Sequence, residues 1–229
     1  PSANPALKTS VKSLRLAGRN LGYQCKIGLS SLLGELTMAI FIYIGNWQFM
    51  HYLGDSGVGA FGIACYYAPF FFMIGNAIAQ SAQPIISYNY GTGLWHKVRE
   101  TRRLLLRTAT LFGVCLSLLF ILFPRELVGL FVDTQSQAGR IATAGFPYLG
   151  TGTVFFIANV AVIGYFQSLE RIRESILFVL MRGVILLIPC FYLLPAVWGT
   201  TGMWLAMPVT EALTSTIIYG MCLYRRRRR

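Results

Sequence analysis

The chain has 229 residues, of which 55% are hydrophobic and only 12% are charged. Soluble domains usually carry about 25% charged residues, so this composition excludes an ordinary soluble domain. The formal net charge of +12 raises the question of nucleic-acid binding, which depends on where the basic residues lie. The five cysteines are dispersed singly through apolar stretches, which argues against a disulfide framework.

The N-terminal segment, residues 1–26, is polar and basic. It has neither an initiating Met nor a signal-peptide pattern, so we expect the chain to begin within a longer protein. Leu7, Val11 and Leu14 fall on one helical face, with basic residues beside it. This pattern predicts a cytoplasmic amphipathic helix on the membrane surface, which links two halves of a longer protein.

Six apolar stretches long enough to cross a bilayer follow this segment. The predicted spans are 27–50, 58–88, 104–123, 141–167, 176–197 and 202–224. The predicted fold class is therefore all-α, a polytopic membrane protein whose six transmembrane helices form one lobe over residues 27–224. A basic tail, residues 225–229, ends the chain.

The basic residues fix the predicted orientation. Seventeen of the 20 lie in the N-terminal segment, in the connections after the second and fourth spans, and in the tail. Positive residues accumulate on the cytoplasmic side, so both ends of the chain are predicted to be cytoplasmic. The tail, Arg225–Arg229, is then expected to contact the anionic lipid bilayer, and no nucleic-acid partner is predicted.

No catalytic motif accompanies these spans. The segment from Gly57 to Gly62 matches G-x-G-x-x-G, but no strand precedes it and no acid lies about 20 residues further on. Close helix packing explains these glycines better. Because nucleophile motifs and metal-ligand clusters are also missing from the sequence, we expect no enzyme activity, no metal and no cofactor.

Two acids, Glu35 and Glu211, fall well inside predicted spans. An ionised carboxylate is costly in hydrocarbon, so such a residue is a candidate site facing the protein interior. Glu35 is expected about 12 Å from the cytoplasmic start of its helix. For Glu211 a packing hydrogen bond and a site role both remain open, and Arg182 is expected to pair with a carbonyl or with one of these acids.

Polar stripes run along the first two predicted helices. The first contains Ser31, Glu35 and Asn46, and the second contains Asn76, Gln80, Gln83 and Ser87. Such stripes indicate either helix–helix hydrogen bonds or a hydrated cavity. An aromatic run that begins at Tyr66 could bind a lipophilic cation by cation–π contact, or it could face lipid or pack.

One segment carries a family resemblance. Residues 83–93, read as Gln-Pro-Ile-Ile-Ser-Tyr-Asn-Tyr-Gly-Thr-Gly, resemble the signature of the multidrug and toxic compound extrusion (MATE) family. Residues 28–35 with Asn46 resemble the opening helix of the family's second half, in the branch related to MepA and DinF. Residues of the last three spans agree with this resemblance: Asn159, Gln167, Arg182, Pro189, Pro195, Gly199, Gly202, Pro208 and Glu211.

The resemblance implies the C-terminal lobe, helices seven to twelve, of a transporter in the bacterial inner membrane. Its partner would be an N-terminal six-helix lobe, its substrates cationic drugs, and its coupling ion H⁺ or Na⁺. Glu35 would sense the coupling ion or the drug, while Asn46, Gln80 and Gln83 would line the cavity. The further candidate residues are Asn76, Asn159, Glu211 and Tyr66.

The sequence also departs from one branch of the family and leaves two alternative functions to be weighed. Residues 141–167 contain no Asp or Glu, so a NorM-type sodium site is not expected. A lipid-linked oligosaccharide flippase of the same superfamily would need several basic residues in its central cavity, whereas Arg182 is the only intramembrane one. A non-transporting membrane subunit would bury Glu35 and the amide stripes in helix contacts.

Overall fold

The structure is a computed structural model that describes residues 18–227 of the chain. The predicted linker helix lies mostly outside the described residues, as does the end of the basic tail, so both stay predictions. The helices are α1 Gly18–Gly91, α2 Trp95–Leu122, α3 Pro124–Gly129, α4 Gln137–Ser168, α5 Ile172–Leu180, a π-helix Met181–Ile185 and α6 Leu187–Arg227. Residues 18–227 contain no strand.

Two glycines reverse the chain inside its longest helices. Gly54 has φ 62° and ψ −154°, and Gly199 has φ 56° and ψ −133°, conformations that a Cβ atom disfavours. Gly54 divides α1 into a first arm (18–53) and a second arm (55–91), and Gly199 divides α6 into 187–198 and 200–227. Gly45 of the first arm lies against Phe61 of the second, and the earlier Gly34 lies against the later Phe72, so the arms run antiparallel.

Counted with these two reversals, the chain crosses the bundle six times. Four continuous helical stretches are long and apolar enough to span a membrane, and two of them contain a reversal, at Gly54 and at Gly199. This confirms the predicted six-helix membrane bundle. Helix α2 begins at Trp95 rather than at Leu104, because its basic first turns continue the helix beyond the apolar part.

Helix α4 lies at the centre of the bundle, with buried residues on most of its circumference. Phe146 stacks on Phe120 of α2 with ring centroids 5.3 Å apart, and it meets Trp204 of α6 at 6.1 Å. Gly145 and Gly152 lie directly against Trp204 and Pro208, where a methyl group would overlap the neighbouring helix. Small residues at such crossings let membrane helices approach closely.

Candidate functional site

The two polar stripes lie on the surface that flanks the contact between the arms of α1, and we call this surface the α1 groove. Phe72 of the second arm lies against Gly34 of the first, so Glu35 is level with Phe72. At 100° per residue, Asn76, Gln80 and Gln83 continue along the helix face that Phe72 begins. The stripe of the first arm, Ser31, Glu35 and Asn46, likewise lies beside the face that contacts the second arm.

The side chains bordering the α1 groove remain largely accessible. Glu35, Gln80 and Gln83 are exposed, whereas Asn46 and Asn76 are half-buried. The amide nitrogen of Asn46 donates to the carbonyl of Ile42 at 2.9 Å, within its own helix. The groove is therefore a polar strip on the outside of this bundle rather than a set of contacts inside it.

Glu35 has no hydrogen bond or ion pair with the rest of the described chain. An ionised carboxylate at this depth is not stable against hydrocarbon, so water, a cation or another polypeptide has to cover it. Glu35 is thus accessible at the surface of the described bundle, and its site role stays a prediction. Its environment differs sharply from the environment of Glu211.

Glu211 is sealed inside the bundle in a charged network. Its carboxylate accepts hydrogen bonds from Nη2 of Arg182 at 2.5 Å and from Nε at 3.0 Å. Asn159 donates to the same carboxylate at 2.7 Å and to the backbone carbonyl of Glu211 at 2.9 Å. Ser215 in turn donates to Oδ1 of Asn159 at 2.8 Å.

The Arg182–Glu211 pair is a packing contact that joins three helices. The two side chains are 5% and 4% exposed, and the guanidinium lies 4.3 Å above the ring centroid of Phe156. A buried carboxylate held by a bidentate arginine has its charge already compensated. The structure therefore shows a packing hydrogen bond for Glu211, which Asn159 shares, and a site role for either residue stays a prediction.

The π-helix connects this network to the first arm of α1. Arg182 and Gly183 are consecutive and both buried, and they face different neighbours. Arg182 reaches Glu211 of α6, whereas Gly183 lies directly against the Cβ and Cγ2 atoms of Thr37, two residues after Glu35. Short π-helical insertions of this kind are rare and frequently occur at functional sites.

Tyr66 is not in the α1 groove. It is exposed and stacks on Phe131, with ring centroids 5.3 Å apart and an interplanar angle of 13°. The neighbouring Tyr67 donates its hydroxyl to the carbonyl of Leu127 at 2.9 Å, and Phe71 is buried. Tyr66 and Tyr67 therefore pack on α2, α3 and the residues after α3, away from the polar stripe, whereas Phe72 of the same run lies against Gly34.

Sequence reasoning missed one buried polar cluster. The hydroxyls of Ser30 and Ser175 lie 2.7 Å apart, and Gln167 donates to Ser30 at 3.1 Å. The cluster joins the first arm of α1, α4 and α5. The spacing of Ser30, Gly34 and Thr37 on one face is a signal for it, since small residues at that period mark a helix-packing face.

These features define a class of protein: a multi-pass membrane protein whose six-helix lobe carries an open polar groove on one side. A family model described as MatE matches residues 31–193, and the chain belongs to the MatE family. MATE proteins are transporters, which confirms the expectation that the chain is not an enzyme. Among the described residues, no group of three or more His, Cys, Asp or Glu side chains could hold a metal ion.

Curated relatives agree with this family. Multidrug export protein MepA of Staphylococcus aureus (strain bovine RF122 / ET3-1) is 23% identical over 190 residues, covering 82% of this chain and 41% of MepA. A probable multidrug resistance protein NorM of Rhizobium meliloti (strain 1021) is 35% identical over 95 residues, covering 41% of this chain and 20% of NorM. The chain thus spans less than half the length of these relatives.

Solved structures show the same fold. The MATE multidrug transporter DinF-BH has a TM-score of 0.79 and 29% identity, covering 97% of this chain and 49% of DinF-BH. A MOP-superfamily transporter from Pyrococcus furiosus has a TM-score of 0.83 and 17% identity, covering 96% of this chain and 49% of its own. The second likeness concerns the fold alone. The six-helix bundle thus has the fold of about half of each of these transporters.

Proposed function

We propose that this chain is the C-terminal lobe of a cation-coupled multidrug antiporter that exports cationic amphiphilic compounds. The observation that carries the proposal is the position of Glu35, a carboxylate without a protein partner on an open polar groove at membrane depth. The names of the relatives MepA and NorM describe multidrug export and multidrug resistance, which supports the substrate class.

The proposed mechanism is competition for one carboxylate. Ionised Glu35 attracts a cationic amphiphile, and Glu35 neutralised by H⁺ or Na⁺ releases it. The two ligands have to favour different conformations of the transporter, because a ligand with equal affinity for both states shifts nothing. Asn46, Asn76, Gln80 and Gln83 supply hydrogen bonds along the same groove.

The proposed cover for the α1 groove is an N-terminal six-helix lobe of the same transporter. The chain matches about half of each related two-lobed structure, and its first helix carries the open groove. In this arrangement the groove becomes a central cavity shared by the two lobes. From the basic connections we also propose that both ends of this chain are cytoplasmic and that its location is the bacterial inner membrane.

The buried ion pair weighs against the flippase alternative. An anionic pyrophosphate would need basic side chains at the cavity surface. Arg182 lies inside a membrane-crossing segment of the described bundle, but its guanidinium is already paired with the carboxylate of Glu211. A cationic substrate suits the free carboxylate of Glu35 better.

The test of this function is drug efflux by the full-length protein carrying Glu35→Gln. The amide keeps the size of the side chain and removes its charge, so we expect efflux of cationic drugs to fall about tenfold or more, as expected for losing one charge-assisted contact. Glu100→Gln, an exposed acid at the basic start of α2, is the matched control and should retain normal efflux. Normal efflux and ion coupling in Glu35→Gln would refute the assignment.

A further inference from the structure

Two arginines line one cavity on the side of the bundle opposite to Gly18 and Arg227, the first and last described residues. Arg125 belongs to the first turn of α3, and Arg140 to the first turn of α4. They line a cavity of about 340 Å³. The other lining residues are Thr134, Gln135, Thr143 and Ala144.

The cavity has the charge and the donors of an oxyanion site. Neither arginine forms an ion pair with another described residue. The nearby acid Asp133 does not line the cavity, and its carboxylate instead accepts the backbone N–H of Gln135 at 2.9 Å. Two guanidinium groups match the oxygens of a phosphate.

A trough on α4 leads away from this cavity along the membrane. Four residues of α4 remain exposed on one stripe below Arg140, and they are Ala144, Tyr148, Thr151 and Phe155. Helix α2 flanks the stripe on one side, where Ser117 donates to the carbonyl of Gly150 at 2.7 Å. Helix α6 flanks the other side, where Pro208 lies against Gly152.

The trough faces away from the α1 groove. Helix α4 packs on α1 through the opposite part of its surface, where Gly75 meets Val160 and Ala79 meets Gly164. A lobe covering the α1 groove would therefore leave the trough open to lipid. Leu130 and Phe131, next to the cavity, are 75% and 48% exposed, as expected for residues at a membrane interface.

We propose that the cavity and the trough together bind a phospholipid with a net negative headgroup. Arg125 and Arg140 hold its phosphate, and one acyl chain follows Ala144, Tyr148 and Phe155. A zwitterionic lipid has the same phosphate but brings an ammonium group towards the two arginines. The inference does not depend on the proposed transport function.

Native mass spectrometry of the full-length protein tests this proposal. Protein purified in detergent is supplied with phosphatidylglycerol or phosphatidylcholine, and the retained lipid is counted. We expect phosphatidylglycerol to be retained about tenfold more than phosphatidylcholine, and the double variant Arg125→Gln/Arg140→Gln to lose about tenfold of that retention. The control Arg103→Gln/Arg107→Gln removes two exposed arginines from the other side of the bundle and should retain lipid normally.

Two further measurements distinguish binding of a lipid from binding of free phosphate. Excess inorganic phosphate should not displace the lipid, because it lacks the acyl chain. Ala144→Phe fills the trough at an exposed position, so it should reduce retention of phosphatidylglycerol without lowering the thermal unfolding temperature. Unchanged retention in the arginine double variant or in Ala144→Phe would overturn the proposal, as would complete displacement by inorganic phosphate.

Discussion

Arg182 of the π-helix and Glu211 of α6 form an ion pair of 2.5 Å inside the bundle, with both side chains almost completely buried. Asn159 of α4 completes the contact, so three helices meet at one charged centre. The carboxylate of Glu211 is therefore already bound by the guanidinium of Arg182. Of the two acids that the sequence places inside the membrane, Glu35 is thus the one left accessible at the surface of the lobe.

Removing one partner of the ion pair should lower the free energy of unfolding much more than replacing both partners with apolar residues. Arg182→Met or Glu211→Met alone leaves an unpaired buried charge, and each should lower the free energy of unfolding by about 3–5 kcal/mol. The double variant Arg182→Met/Glu211→Met removes both charges and should be more stable than either single variant. Thermal unfolding in detergent measures this. Single variants as stable as the wild type would show that the pair contributes nothing.

Close helix packing at Gly145 predicts a second stability difference. A methyl group there would overlap the indole of Trp204, so Gly145→Ala should lower the free energy of unfolding by about 1–3 kcal/mol. Gly62→Ala is the matched control, because nothing lies within 4 Å of a methyl group at that position. Equal unfolding temperatures for the two variants would contradict the described contact between α4 and α6.

The polar stripe of the second arm predicts a difference between two adjacent residues. Gln80 is exposed on the α1 groove, whereas Ser81 is turned about 100° away and donates to the carbonyl of Ile78 at 2.9 Å. Under the proposed function, Gln80→Ala should weaken substrate affinity about 2–10-fold, as expected for one lost hydrogen bond, while Ser81→Ala should not. Concentration-dependent efflux assays compare them. A larger effect from Ser81→Ala would place the substrate on another face.

Much of the fold was predictable from single-residue properties. Long apolar stretches predict six membrane helices because backbone groups in hydrocarbon need helical hydrogen bonds. The rotation of about 100° per residue in a helix predicts the polar stripes. Glu35 lies beside the α1 groove on the first arm, as that rotation implies. These features depend on local sequence, so they need no knowledge of which helices become neighbours.

The partners inside the bundle were not predictable in the same way. Arg182 and Glu211 are 29 residues apart, and nothing local specifies that the π-helix turns Arg182 towards α6. The aromatic run beginning at Tyr66 has the composition of a cation site, and Tyr66 stacks on Phe131 because residues after α3 return to the second arm. Both outcomes are set by tertiary packing, which overrides the local pattern.

Water access to residue 35 in the full-length protein tests the central claim most directly. Glu35→Cys is made in a background whose five native cysteines are replaced by Ala, and its reaction with a water-soluble thiol reagent is followed. The control is Leu111→Cys, on the exposed apolar face of α2. We predict rapid reaction at position 35 and little reaction at position 111. Position 35 reacting as slowly as position 111 would contradict a hydrated cavity at Glu35.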